Sequence, residues 1–196
     1  MADKDMKWKT LSQKYLMKRP WMTARVDKVQ LPTGAIIDEY YVLEYPDWVN
    51  TIAITKEGKF VFVRQYRYAL GKTVNELCAG VIEEGEDPMD AAKRELMEET
   101  GFGGGHWEKW MEISANPSTH TNITHCFLAK DVELQSEQHL DKGEDVEVRI
   151  FTRQEVLDML RKGEVWQSLM AAPLWKYFYE TVGDHIEVVG ISIEES

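Results

Sequence analysis

The sequence predicts an α+β fold built from packed layers of sheet and helix, and three observations carry that expectation. Short runs rich in β-branched and aromatic residues, such as Ile52 to Ile54 and Phe60 to Val63, recur between turn residues. The segment from Pro88 to Thr100 carries helix signals at both ends. Strand and helix patterns mix without the regular alternation of a doubly wound parallel sheet. A chain of 196 residues with 43% hydrophobic content is long enough to bury one core.

A short start of helical character precedes Thr23 to Leu31, a strand that meets a Pro32-Thr33-Gly34 turn and continues as Ala35 to Tyr45. Asn50 to Thr55 and Lys59 to Tyr66 flank a Lys-Glu-Gly turn as a second hairpin, and Thr73 to Leu77 is a further short strand. Asp87 and Pro88 mark a helix start, with Asp90 where a capping-box acid stands and Gly101 closing the far end. Glu108 to Ile113, Ile123 to Leu128 and Val146 to Phe151 read as strands. Gln154 to Arg161 and Gln167 to Glu180 read as helices, the second broken or restarted at Pro173, and His185 to Ile193 as a strand or loose segment. A β-region over 1–46 is thus expected ahead of a main domain over 47–182 and a tail over 183–196.

The opening residues are polar and no run of apolar residues is long enough to span a bilayer, so a cytoplasmic protein without membrane partners is expected. Cys78 and Cys126 are too few for a disulfide framework or a four-cysteine zinc site and read as buried packing residues. A formal charge of −11 opposes nucleic-acid binding, which depends on cationic side chains neutralising phosphates. A small anionic substrate would need a divalent cation or a local arginine cluster to offset the repulsion.

The predicted helix packs through Met89, Ala92 and Leu96. Its other side gathers Glu95, Glu98 and Glu99 at i, i+3 and i, i+4 spacing, and Glu83, Glu84 and Glu86 approach from the preceding loop. Such a cluster is either a solvated acidic face or a site for a hard divalent cation such as Mg²⁺. Residue order separates the two readings. From Gly80 to Phe102 the chain reads GVIEEGEDPMDAAKRELMEETGF, with Gly80, Glu86, Arg94, Glu95, Glu98, Glu99 and Gly101 at fixed spacing. This segment resembles the Nudix box at every defined position, a coincidence below roughly one in a million at residue usages of about 5 to 10%.

The resemblance implies a mixed-sheet α/β/α sandwich and a Mg²⁺-dependent pyrophosphohydrolase, with Mn²⁺ able to substitute. It makes Glu95 and Glu99 the principal metal ligands, Glu98 an assistant, and the carbonyl of Ala79 the completing ligand. Arg94, able to hold neighbouring carboxylates in place, joins Glu98 in the catalytic group.

Beyond the box, VRQYRYALGKTVNELCAGVIEEGE is similar to the ADP-ribose pyrophosphatase branch of that family, and Pro117 lies sixteen positions past Gly101 as it does there. By that resemblance Arg64 and Arg67 face the substrate's phosphates, Glu76 its ribose or metal region, and Trp21, Tyr40 and Tyr41 come from the region that supplies base-stacking rings. The N-terminal region would build a homodimer. The stretch at 118–125, with His120 and His125, departs from the branch pattern and leaves substrate identity open. By the same resemblance the general base comes from a late loop before a strand, here the acidic loop at 140–147, with Glu144 first, then Asp145 and Asp141. The rival readings are GDP-mannose or other Nudix pyrophosphatase activity and a non-catalytic sugar-nucleotide sensor.

Overall fold

A computed structural model describes residues 5–140 and 142–181. Three antiparallel strands, β1 (Lys9–Arg19), β2 (Met22–Gln30) and β3 (Ile36–Glu44), form a separate sheet in the order β1-β2-β3. The opening segment is therefore a strand and not a helical start. Its hydrogen bonds come from β2 across a turn at Pro20 and Trp21, a pairing that local propensity does not reveal. This sheet is stitched to the rest of the chain where Leu43 donates its N–H to the Thr119 carbonyl at 2.8 Å and accepts from Thr121 at 3.1 Å.

The main sheet contains β4 (Trp48–Thr55), β5 (Phe60–Arg67), β6 (Lys72–Glu76), β7 (Cys78–Val81), β8 (Phe102–Gly103), β9 (His106–Ile113), β10 (Thr124–Leu134) and β11 (Val146–Phe151). Its central path runs β11-β5-β4-β10-β8, with β6 on β5, β7 on β4 and β9 on β10. The β4–β10 pair is parallel and the others antiparallel, so the sheet is mixed, as expected. Strand β7, at the start of the box, was not foreseen as a separate element.

Helix α1 (Pro88–Thr100) packs Ala91, Ala92 and Leu96 on one face of the sheet, against Val49, Val61 and Phe127. Helices α2 (Arg153–Arg161) and α3 (Ser168–Thr181) cover the other face, where Ile52, Phe60 and Phe62 meet Val156, Leu174 and Phe178. The result is a helix–sheet–helix sandwich. Asp87 caps α1 by accepting from the N–H of Met89 at 2.8 Å, and Gly101 closes it at φ 72°. Asp90 closes no reciprocal box, its carboxylate lying 3.9 Å from Lys93; the box forms on α2, between Thr152 and Glu155.

Helix α3 continues through Pro173 instead of breaking there. Proline deprives the carbonyl four residues back of its helical donor. That carbonyl, on Leu169, is taken by the side-chain amide of Asn50 on β4 at 2.8 Å, which replaces the lost hydrogen bond. The expected strand at 185–193, the 183–196 tail and Asp141 lie outside the described residues.

Candidate active site

Strand β7 runs beside β4 and delivers its last residues under the C-terminal half of α1. Here the box closes on itself. Glu99 is only 4% exposed, and one of its oxygens accepts the backbone N–H of Ala79 at 3.1 Å. The carboxylate of Glu95 lies over Gly80 so closely that a Cβ there would stand 1.9 Å from its Cδ. Any side chain at that position would have to displace the Glu95 carboxylate, so glycine matters here by contact and not by dihedral freedom.

Arg94 binds this group together. Its Nε and one Nη2 hydrogen reach the two oxygens of Glu86, each at 2.9 Å, and the other Nη2 hydrogen reaches the carbonyl of Val81 at 3.1 Å. Its Nη1 donates to Glu95 at 2.8 Å and Glu98 at 3.0 Å. All five guanidinium donors are thereby engaged by the protein. Arg94 braces the loop and the helix acids, as its expected role of holding neighbouring carboxylates in place requires, and has no donor left for a substrate.

A cleft of about 400 Å³ opens over these residues, lined by Glu95, Glu98 and Glu99, by Glu144 from the loop before β11, and by Arg67 and Trp21. Burial pushes the Glu99 carboxyl up to about 7; the charges of Glu95 and Glu144 add to this, while hydrogen bonds from Cys78 and Ala79 oppose it. Burial also raises Glu95 against the opposing pull of Arg94, whereas Glu86 is held low by its bidentate contact with Arg94. The cleft floor therefore carries desolvated acids whose negative charge is incompletely offset.

Among the described residues, no group of three or more His, Cys, Asp or Glu side chains is arranged to hold a metal ion by itself. Mg²⁺ does not need one, because it is held by one or two carboxylates with waters and phosphate oxygens completing the octahedron. Oxygen donors on one wall of an open cleft fit that ion. Cys78 is buried beside Glu99, and burial raises its thiol far above the usual range, so it packs as a neutral group.

Of the two arginines expected on the phosphates, only Arg67 lines the cleft. Side chains three apart on a strand point to opposite faces. Arg64 accordingly lies on the far face with Arg149, 3.7 Å from Glu147. Glu76 does not line the cleft; its buried carboxylate accepts from Arg67 Nε at 3.0 Å and Nη2 at 2.7 Å, and from Gln65 at 3.1 Å.

Trp21, at the β1–β2 turn, is 72% exposed and reaches the cleft rim. Tyr40 does not line it, since its hydroxyl donates to the Ser118 carbonyl and its ring meets Trp8 edge-on at 5.7 Å. Tyr41 donates to Glu39 at 2.9 Å. His120 packs on the Tyr45 ring, and His125 lies between Asp47 and Glu112, so neither histidine lines the cleft. Glu144 lines it and the adjacent Asp145 does not. Sequence reasoning missed Gln65, Trp48 and His139 on the walls. Gln65 was within reach, because strand alternation puts it on the face of Arg67.

The NUDIX domain model matches residues 45–171. The chain belongs to the Nudix hydrolase family. A second model, the nucleoside diphosphate sugar hydrolase N-terminal domain, matches residues 8–43. Among Nudix relatives, the chain is 32% identical over 169 residues to the ADP-ribose pyrophosphatase of Bacillus subtilis, covering 86% of this chain and 91% of that one. It is 33% identical over 161 residues to the methanol dehydrogenase activator of Bacillus methanolicus, covering 82% and 86%. A crystal structure of an ADP compounds hydrolase superposes with a TM-score of 0.76 at 18% identity, over 91% of this chain and 98% of that one, which shows the shared fold.

Proposed function

We propose that this Nudix enzyme hydrolyses the pyrophosphate bond of a nucleoside diphosphate derivative in a Mg²⁺-dependent reaction, with ADP-ribose, cut to AMP and ribose 5-phosphate, the first substrate. The observation that carries the reading is the meeting of desolvated Glu95 and Glu99 with Glu144 and Arg67 in one cleft. The similarity to the Bacillus subtilis ADP-ribose pyrophosphatase supports the choice of substrate.

In this reading Glu95, Glu98, Glu99 and the carbonyl of Ala79 hold the Mg²⁺, with Mn²⁺ able to replace it. When bound, the ion supplies charge neutralisation at the phosphates and a more acidic water. Glu144 takes the proton from the attacking water, with Asp145 and Asp141 as its reserves, and Arg67 binds a phosphate oxygen through donors that Glu76 does not occupy. Trp21 offers a ring to the base from the cleft rim. The N-terminal sheet pairs two copies into a homodimer. Cytoplasmic placement and the lack of nucleic-acid partners remain expectations from charge and composition.

The deciding experiment is a panel of ADP-ribose, GDP-mannose and other nucleoside diphosphate sugars with Mg²⁺, assayed for nucleoside monophosphate. Release of AMP from ADP-ribose at the highest kcat/KM supports the proposal. Preference for GDP-mannose replaces the substrate, and binding without turnover of any member replaces hydrolysis with sensing.

A further inference from the structure

Arg67 and Glu76 are further apart along the sheet than their ion pair suggests. In the β5–β6 register Arg67 stands opposite Lys72, while Glu76 stands opposite Val63, four residues back along β5. To meet Glu76, the Arg67 side chain must fold back along the strand, over Gln65, toward the end of β6 that leads into the box. Glu76 takes Nε and one hydrogen of Nη2, and Gln65 holds the same carboxylate from the side. This leaves three of the five guanidinium hydrogens for other partners, in contrast to Arg94, which keeps none.

The setting makes the restraint necessary. Arg67 lines a cleft whose other charged walls include Glu95, Glu98, Glu99 and Glu144. An unrestrained arginine there would be drawn onto the acids as a tethered cation, competing with a divalent ion for the same oxygens. Glu76, 5% exposed and already charge-paired, anchors the Nε–Nη2 edge of the guanidinium along β5, while the Arg67 side chain stays 40% exposed. We infer that Glu76 is a positioning residue: it holds Arg67 ready for a substrate phosphate and keeps that positive charge off the metal-binding glutamates. This rests on the reading of the cleft as a divalent-cation and pyrophosphate site.

The test compares Glu76→Gln, Arg67→Met and the double variant Arg67→Met/Glu76→Gln, with circular dichroism to confirm that each is folded. Mn²⁺ binding is titrated without substrate, and KM and kcat are measured with the best substrate of the panel. Glu76→Gln should weaken Mn²⁺ binding by about 2- to 5-fold, the scale of one partly screened ion pair, and raise KM more than it lowers kcat. The double variant should recover wild-type Mn²⁺ affinity, because no arginine remains to collapse, while KM stays raised. If the double variant binds Mn²⁺ as weakly as Glu76→Gln, Glu76 itself contributes to the metal site and the inference fails. It also fails if Glu76→Gln changes neither Mn²⁺ affinity nor KM. The Mn²⁺ arm involves no substrate, so an error in the assigned activity stays distinguishable from an error here.

Discussion

The side-chain amide of Asn50 donates to the carbonyl of Leu169 at 2.8 Å, supplying the donor that Pro173 cannot. This single bond fastens the middle of the sheet to α3 and lets the helix pass its proline unbroken. Asn50→Ala should lower stability by about 1 kcal/mol, the usual net worth of a hydrogen bond, here to a part-buried carbonyl. In a Pro173→Ala background the returned N–H satisfies Leu169, so the same substitution should cost measurably less. A double-mutant cycle by denaturant unfolding checks this, and equal costs in both backgrounds would count against the account.

Gly80 lies under the Glu95 carboxylate with no room for a methyl group. Gly80→Ala should therefore displace Glu95 by an ångström or more and lower turnover by about 10²-fold, the usual effect of such a misplacement. Gly85→Ala, whose added Cβ meets nothing within 4 Å, is the control; its φ of +83° makes it strained, so it should lose stability before turnover. Comparable losses of turnover per unit of stability in both variants would refute the contact explanation.

Burial raises the Glu99 carboxyl from 4.5 to about 7, and a pH dependence follows. Between those values the folded chain retains a proton that the unfolded chain has released, so stability of the metal-free protein falls as pH rises through the window. The loss should reach roughly 2–3 kcal/mol, with a smaller contribution from Glu95. Glu99→Gln should flatten most of the slope and stabilise the apo protein at neutral pH. Unfolding midpoints measured with chelator across the window test this, and an unchanged slope in Glu99→Gln would place the titrating group elsewhere.

Glu144→Gln should lower kcat by about 10² to 10⁴, the usual worth of a general base, with KM and Mg²⁺ affinity nearly unchanged. Excess Mg²⁺ should not rescue it, whereas it should partly rescue Glu98→Gln, which removes an assisting ligand. Near wild-type turnover in Glu144→Gln, Asp145→Asn and Asp141→Asn alike would make Glu98 the leading base.

All eleven residues of β1 are exposed, Leu11, Tyr15, Leu16 and Met17 among them. If a second copy covers them, sedimentation velocity should give a dimer at micromolar concentration, and Leu16→Glu with Met17→Lys should yield monomers. A wild-type chain that sediments as a monomer throughout that range would end the dimer proposal.

The acidic helix was legible because its cues are local: a cap, a proline, an apolar stripe and a fixed spacing of acids all lie within Asp87 to Gly101. Its brace was partly legible, since Arg94 can reach Glu98 one turn on, but the bidentate contact with Glu86 depends on how the loop folds. Arg64 shows a readable cue that was overridden: alternation along β5 already separates it from Arg67, and motif similarity had grouped them. Strand β1 and the intact α3 were not readable, because each depends on a partner distant in the chain. The hydrogen bonds of β1 come from β2, and α3 survives Pro173 through a side chain 119 residues away.

The parallel pairing of β4 with β10 also sets an order of assembly. Strand β4 emerges from synthesis before α1, but its parallel neighbour begins only at Thr124, and Leu169 follows later still. Closing such distant contacts is slow compared with forming a helix. A growing chain halted before Thr124 would hold the complete box on a helix with half a sheet beneath it. It would carry Glu95, Glu98 and Glu99 but not Glu144, which lines the same cleft and follows β10 in the chain. If the cleft binds the divalent cation proposed above, a site that needs Glu144 is complete only once the chain beyond β10 has joined the sheet, and added metal should leave the refolding rate unchanged while stabilising the finished protein.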